Sequence, residues 1–179
     1  MFLSYPARIL ISAFLLVPLV ACPVATAADP LPIARHVAKQ GTKAQIDSGI
    51  LAARRYAAFW NSGDENFARA ALASNFIDRT LPAGRVQGIE GPLQASRAFR
   101  GAVPDLRAEI EQMVVAGDRV SVQYRFKGRF TGRFGDVAGQ GQAIDFVAFD
   151  VYRIFQGQIV ENWHLEDNLA LLKQMGIIE

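Results

Sequence analysis

The spacing of apolar positions changes along this chain, and each change predicts an element. Between Thr42 and Ser62, the residues Ile46, Ile50, Ala53, Ala57 and Trp60 recur at intervals of four and three, which draws one stripe along a helix. Thr42, three residues before Gln45, forms a capping box at its start, and Asn61-Ser62-Gly63 stops it. Asp64 caps a second helix carrying Phe67, Ala71 and Leu72. Phe76 to Thr80 predicts a short strand ending at Leu81-Pro82-Ala83-Gly84. A third helix starts at Gly91-Pro92, where proline suits a first turn, and runs past Phe99 to Val103-Pro104-Asp105.

From Leu106 the period falls to two. Leu106, Ala108, Ile110 and Val114 alternate with Arg107, Glu109 and Glu111, and Gly117-Asp118 marks a hairpin. Val120, Val122, Tyr124 and Phe126 then alternate with Ser121, Gln123, Arg125 and Lys127. A Gly-rich loop, Thr131 to Gly141, leads to two aromatic runs on either side of Gln156-Gly157, a second hairpin signal. The last run ends in Trp163, His164, Glu166 and Asp167, and a short helical segment follows. Helices first, antiparallel strands next and a helix last predict an α+β domain. Its helices cover one face of a curved antiparallel sheet, and the other face lines a cavity.

The N-terminus changes the picture of where the protein works. Arg8 is the only charge before Asp29, and Ile9 to Val20 is an apolar run too short to be a good membrane span. Residues 1–27 therefore read as a secretory signal cleaved after Ala25-Thr26-Ala27. Leu19-Val20-Ala21-Cys22 also resembles a bacterial lipobox, which would end the leader at residue 21 and put a lipid on Cys22, although Pro23 is an unusual neighbour for that processing. Both readings predict an exported protein, periplasmic, secreted or lipid-anchored. Residues 28–41, with Pro30, Pro32 and Gly41, read as a flexible arm, and 42–179 as the domain. One cysteine allows no disulfide framework, so the core must be hydrophobic. The 19 Lys and Arg, one of them in the leader, face 17 Asp and Glu. That balance offers no electrostatic reason to expect nucleic acid or an anionic membrane as partner. With two histidines, one of them in the arm, no metal-ligand set is visible, and Gly132 to Gly141 lacks phosphate-loop spacing.

Many weak motifs in one order resemble the SnoaL-like polyketide cyclases, also called ester cyclases, of the NTF2-like superfamily. They are Tyr56-Ala-Ala-Phe-Trp-Asn-Ser-Gly-Asp64, Val103-Pro104-Asp105-Leu106, Gly117-Asp118-Arg119-Val120, Asp150-Val-Tyr-Arg153, Gly157-Gln-Ile-Val-Glu-Asn-Trp163, Asp167 and Leu172-Lys-Gln-Met-Gly176. The resemblance covers about residues 43 to 178. It implies a cone-shaped α+β barrel around an apolar pocket, a homo-oligomer, and no metal or organic cofactor. Enzymes of this type close a ring on an apolar carbonyl compound, using one pocket carboxylate as general acid and base. That carboxylate matches Asp167. The superfamily also contains non-catalytic binding domains, so fold alone does not decide function. Many relatives carry a histidine where this chain has Phe130, and another where it reads Asp78-Arg79.

Asp167 is thus the expected base, and it is equally well placed to cap the helix that follows. In an extended strand Trp163, Leu165 and Asp167 share one face, while His164 and Glu166 point the other way, toward the helix-covered side or solvent. Trp163, Tyr124, Phe130 and Phe146 are expected to wall the pocket. Asp150, a charge inside an aromatic run, must be paired or functional. A two-residue loop at Gln156-Gly157 pairs it with Trp163, and a three-residue loop reverses its side. Asp78 and Arg79, near a strand end, read as a surface ion pair or a turn contact.

Overall fold

A computed structural model describes residues 29–179. The expected leader and Cys22 lie outside the described residues. The described elements run β1 (His36–Gln40), α1 (Lys43–Ser62), α2 (Glu65–Ala71), β2 (Leu72–Asp78), α3 (Glu90–Ala102), β3 (Arg107–Ala116), β4 (Arg119–Phe130), β5 (Arg133–Phe134), β6 (Val137–Ala138), β7 (Gln142–Phe155), β8 (Gln158–Glu166) and α4 (Asn168–Gln174).

The helix signals act as the sequence predicts. Thr42 Oγ1 accepts from Gln45 N at 3.3 Å, and Gln45 Oε1 accepts from Thr42 N at 3.0 Å, so two orphan amide donors at the start of α1 are satisfied. Gly63, at φ 78°, ends it. The buried seam of α1 is built from small residues: Gly49, Ala52, Ala53 and Ala57, with Tyr56 and Phe59. A Cβ on Gly49 would stand 2.9 Å from Val120, so the small residues are what let α1 lie deep in the bowl of the sheet.

Six strands form one curved sheet in the order β1-β3-β4-β7-β8-β2. Its centre is antiparallel, and both edges are parallel pairs, β1 with β3 and β2 with β8. The α+β class, the curved sheet under helices and the short closing helix match expectation, but the sheet does not close into a barrel. Residues 36–40, read as part of a flexible arm, form the edge strand β1 instead. All five are exposed; their backbone pairing with 112–116, not burial, holds them. The two most enclosed cavities lie between the sheet and the helices, not on an uncovered face.

Two bulges set which side chains face inward. The β3–β4 register slips between Ile110 and Gln112, which turns Met113 and Val115 into the core and leaves Val114 exposed. The β7–β8 hairpin has its two-residue loop, Gln156-Gly157, with φ of 50° and 78°. A second slip follows, between Arg153 and Ile154, so Asp150 pairs with His164, not with Trp163.

The Gly-rich loop holds a small hairpin, β5–β6, which lies against α3. Gly132 N donates to Ala102 O at 2.9 Å, and a Cβ there would fall 1.8 Å from the Gly101 carbonyl oxygen. Gly132→Ala should therefore destabilise the fold by about 2–3 kcal/mol, read as a lowered urea midpoint. Gly101→Ala, whose Cβ meets nothing within 4 Å, should be neutral or stabilising in the same assay.

Candidate functional site

The inner face of β8 carries a polar row on an otherwise core strand: Asn162, His164 and Glu166. The β8 bulge sets this row beside Asp150 of β7, and the parallel β2 brings Asp78 opposite Asn162. His164 is held between two carboxylates. Its Nδ1 lies 2.7 Å from Glu166 Oε1, and its Nε2 lies 3.0 and 3.1 Å from the two oxygens of Asp78. The side chains of His164 and Asp78 are only 7% and 5% exposed. Burial works against a charged imidazole here, but the hydrogen bond and charge of Glu166, reinforced by Asp78 and Asp150, prevail and lift the His164 pKa to about 9. Burial likewise raises the Glu166 carboxyl, and the bond and charge of His164, with help from Arg85, outweigh it and hold Glu166 below its ordinary value.

A second buried array lies behind this one. Tyr152 donates to Asp150 Oδ2 at 2.7 Å and shares a 2.8 Å hydroxyl contact with Tyr124, while Asn162 Nδ2 donates to Asp150 at 3.3 Å. Burial pushes Asp150 up to about 6, against the stabilising bonds from Tyr152 and Asn162 and the charge of His164. Burial also drives the Tyr124 and Tyr152 phenols well above their ordinary values, so both stay protonated. Asn162 Oδ1 is buried without a protein partner. Tyr124, Asp150 and Asn162, with Asp78, His164 and Glu166, line a chamber of about 30 Å³, enough for a water-sized group.

This chamber adjoins a larger, mostly apolar cavity of about 360 Å³, within the range of small-molecule sites. Trp60, Phe99, Phe146 and Leu171 wall it, and Pro82 with Phe134 of β5 completes the lining. Trp60, Arg85 and Glu166 line both spaces, so they stand at the junction. Among the described residues, no group of three His, Cys, Asp or Glu side chains could hold a metal ion. Asp78 and Glu166 occupy opposite nitrogens of His164, so the cluster does not converge on one point.

The structure divides the residues singled out in the sequence. Tyr124 and Asp150 line the inner chamber and Phe146 the outer cavity. Phe130 is fully buried in the core, beside Gly139, and lines neither space. Trp163 pairs with Val151 on the outer face, with Arg119 5.8 Å above its ring. Asp167 is exposed and caps α4, its Oδ1 accepting from Ala170 N at 2.9 Å. Strand parity did separate His164 and Glu166 from Trp163 and Asp167; it is the polar row that faces the pocket. Asp78 is buried on His164, not paired at the surface, while Arg79 turns outward to Glu161. The missed signal was polarity at every second position, Asn162, His164 and Glu166, in a strand whose other row includes Trp163 and Leu165.

The bracketed imidazole predicts a specific pH dependence of stability. Its proton is bound more tightly in the folded protein than by a free imidazole, whose ordinary pKa is about 6.5, so the stabilisation is complete below about pH 6.5 and lost as pH rises through about 9. The shift corresponds to on the order of 3 kcal/mol. The melting temperature should fall across that window, and His164→Gln, less stable at pH 6, should show a nearly flat profile over it.

The model of the SnoaL-like polyketide cyclase family matches residues 50–175. A Bacillus cereus protein assigned as a polyketide cyclase is 36% identical, with a TM-score of 0.74 over 83% of this chain and 95% of its own. TsrD from Streptomyces laurentii shares the fold at 24% identity and a TM-score of 0.66, over 78% of this chain and all of its own. A Jannaschia protein assigned as a SnoaL-like polyketide cyclase does so at 22% identity and a TM-score of 0.66, over 78% of this chain and 99% of its own. No curated protein matches the chain. The family match over most of the domain, together with the Bacillus cereus relative, establishes that the chain belongs to the SnoaL-like polyketide cyclase family.

Proposed function

We propose that this protein is an exported small-molecule cyclase or isomerase that removes a proton beside a carbonyl group, with Glu166 as the base. The observation that carries this reading is the position of Glu166. One of its oxygens is fixed by His164, its other has no side-chain partner, and the residue lines both the apolar cavity and the buried polar chamber. His164, gripped from behind by Asp78, fixes the carboxylate in place and keeps it ionised.

A carboxylate held below its ordinary range is a weak base, which selects for an acidic C–H, such as a methylene between two carbonyls. Glu166 takes that proton, and the C–H electron pair forms an enolate. The enolate carbon attacks a second carbonyl of the same molecule, closing a ring, and the proton returns from Glu166 to the new alkoxide. The reaction balances on side-chain groups alone. The apolar walls favour a largely hydrophobic substrate and exclude water that would quench the enolate.

Glu166→Gln should lower turnover of a 1,3-dicarbonyl substrate by at least roughly 100-fold while the protein stays folded. Asp167→Asn should retain activity, and Asp167→Ala should lose about 1 kcal/mol of stability as a broken cap. The reverse pattern would make Asp167 the base. Ligand-dependent stabilisation without any turnover by the native protein would favour a binding module instead.

We further propose self-association through the outer face of β7 and β8, where Phe149, Val151 and Leu165 stand exposed beside Trp163. Leu165→Glu should shift the mass measured by light scattering to that of a monomer.

A further inference from the structure

Among the described residues, Arg85 is the one cationic side chain that lines both chambers. Among the described residues most other arginines are engaged: Arg79 and Arg153 with Glu161, Arg125 with Asp145, Arg54 with Asp29, Arg100 with the Trp60 and Leu106 carbonyls. Arg85 holds no ion pair or side-chain hydrogen bond there, although its charge acts on both Glu166 and Tyr56. A half-buried guanidinium beside a carboxylate, yet not bridged to it, keeps its donors for something else.

The segment carrying Arg85 is fixed to the site by its backbone. Arg85 N donates to Pro82 O at 3.1 Å, which closes a turn. Two residues on, the Gln87 side chain clasps Asp78 from both sides, accepting from Asp78 N at 2.7 Å and donating to Asp78 O at 2.9 Å. Gly91, in the first turn of α3, lies against the segment, where a Cβ would lie 2.4 Å from Val86 O and 3.4 Å from the Arg85 side chain. The same β2 residue that grips His164 therefore anchors the loop bearing Arg85.

We propose that Arg85 binds the substrate's carbonyl oxygen and stabilises the negative charge that develops on it when Glu166 removes the neighbouring proton. This rests on the reading of Glu166 as base and identifies the electrophile that reading lacks. Charge is conserved inside the site. Glu166 becomes neutral as the C–H electron pair moves into a carbon–carbon double bond and the carbonyl π pair moves onto oxygen. The anion thus passes from the carboxylate to an oxygen beside Arg85, and no charge has to cross the apolar wall. The substrate class is accordingly a neutral, enolisable ketone or keto ester, since a permanent anion at Arg85 would be repelled by Glu166 before proton transfer.

The test uses 2-naphthol, whose naphtholate mimics the enolate oxygen and is identified by its own absorption band, and 2-methoxynaphthalene as a neutral control. Glu166→Gln supplies the uncharged acid present after proton transfer. In that variant the bound probe should ionise at a pH at least about one unit below free 2-naphthol, which is a roughly tenfold preference for the anion. Adding Arg85→Gln should remove the shift, and Arg85→Lys should restore part of it, with melting temperatures and affinity for 2-methoxynaphthalene unchanged. In the otherwise native protein, Arg85→Gln should lower kcat by about 100-fold or more with little change in KM. An unshifted probe, or a shift that survives Arg85→Gln, would overturn the role of Arg85 alone. Failure of the neutral control to bind would overturn the apolar cavity as a substrate site, and the Arg85 role with it.

Discussion

A charge buried in protein must find a partner or be given up, and the interior of this sheet is arranged around that constraint. His164 stands between Asp78 of β2 and Glu166 of its own strand, so the two N–H groups and single positive charge of the imidazolium serve two carboxylates contributed by the sheet edge and the end of β8. Asp150 lies in the same interior and has neutral partners instead. Wrapped by Tyr152 and Asn162, it is driven toward the neutral acid by burial. Two neighbouring carboxyl environments thus differ in their preferred protonation, as sites handling protons generally require. The helices above, above all the small-residue seam of α1, are what exclude solvent from both.

Much of the fold was legible along the chain because its signals are local. A capping box at Thr42, a proline in the first turn of α3 and clean alternation from Val120 to Phe126 each depend on residues close in sequence. What was not legible depends on partners far away. The arm at 36–40 carries no strand pattern of its own and pairs only because β3 offers an edge. Val114 continues an alternation that the bulge at Glu111 reverses.

The site was half legible for the same reason. Alternation separated His164 and Glu166 from Trp163 and Asp167, and Asp150 stood out as a charge among aromatics. Alternation does not say which row faces inward, and neither an aromatic such as Trp163 nor the resemblance that points to Asp167 registers the bulge that sets it. Here the exposed outer row holds Leu165, Phe149 and Val151, while the covered inner row is polar. Asp78 could not have been assigned to His164 from sequence, since the parallel pairing of β2 with β8 joins positions 86 residues apart. Polar groups at alternate positions of a core strand were the available sign, and they mark a strand whose interior partners are other strands' charges.

β2 is the last strand of its sheet, and an edge strand offers unpaired amides and carbonyls to any chain that drifts alongside. At Asp78 both of those groups are taken by the single amide of Gln87, which imitates the strand that is not there. A side chain thereby ends the sheet at the residue whose carboxylate holds the histidine. An invading strand would have to displace it before it could pry the site open, so the same clasp that steadies the pocket also guards the protein against adding a foreign strand at its most sensitive border.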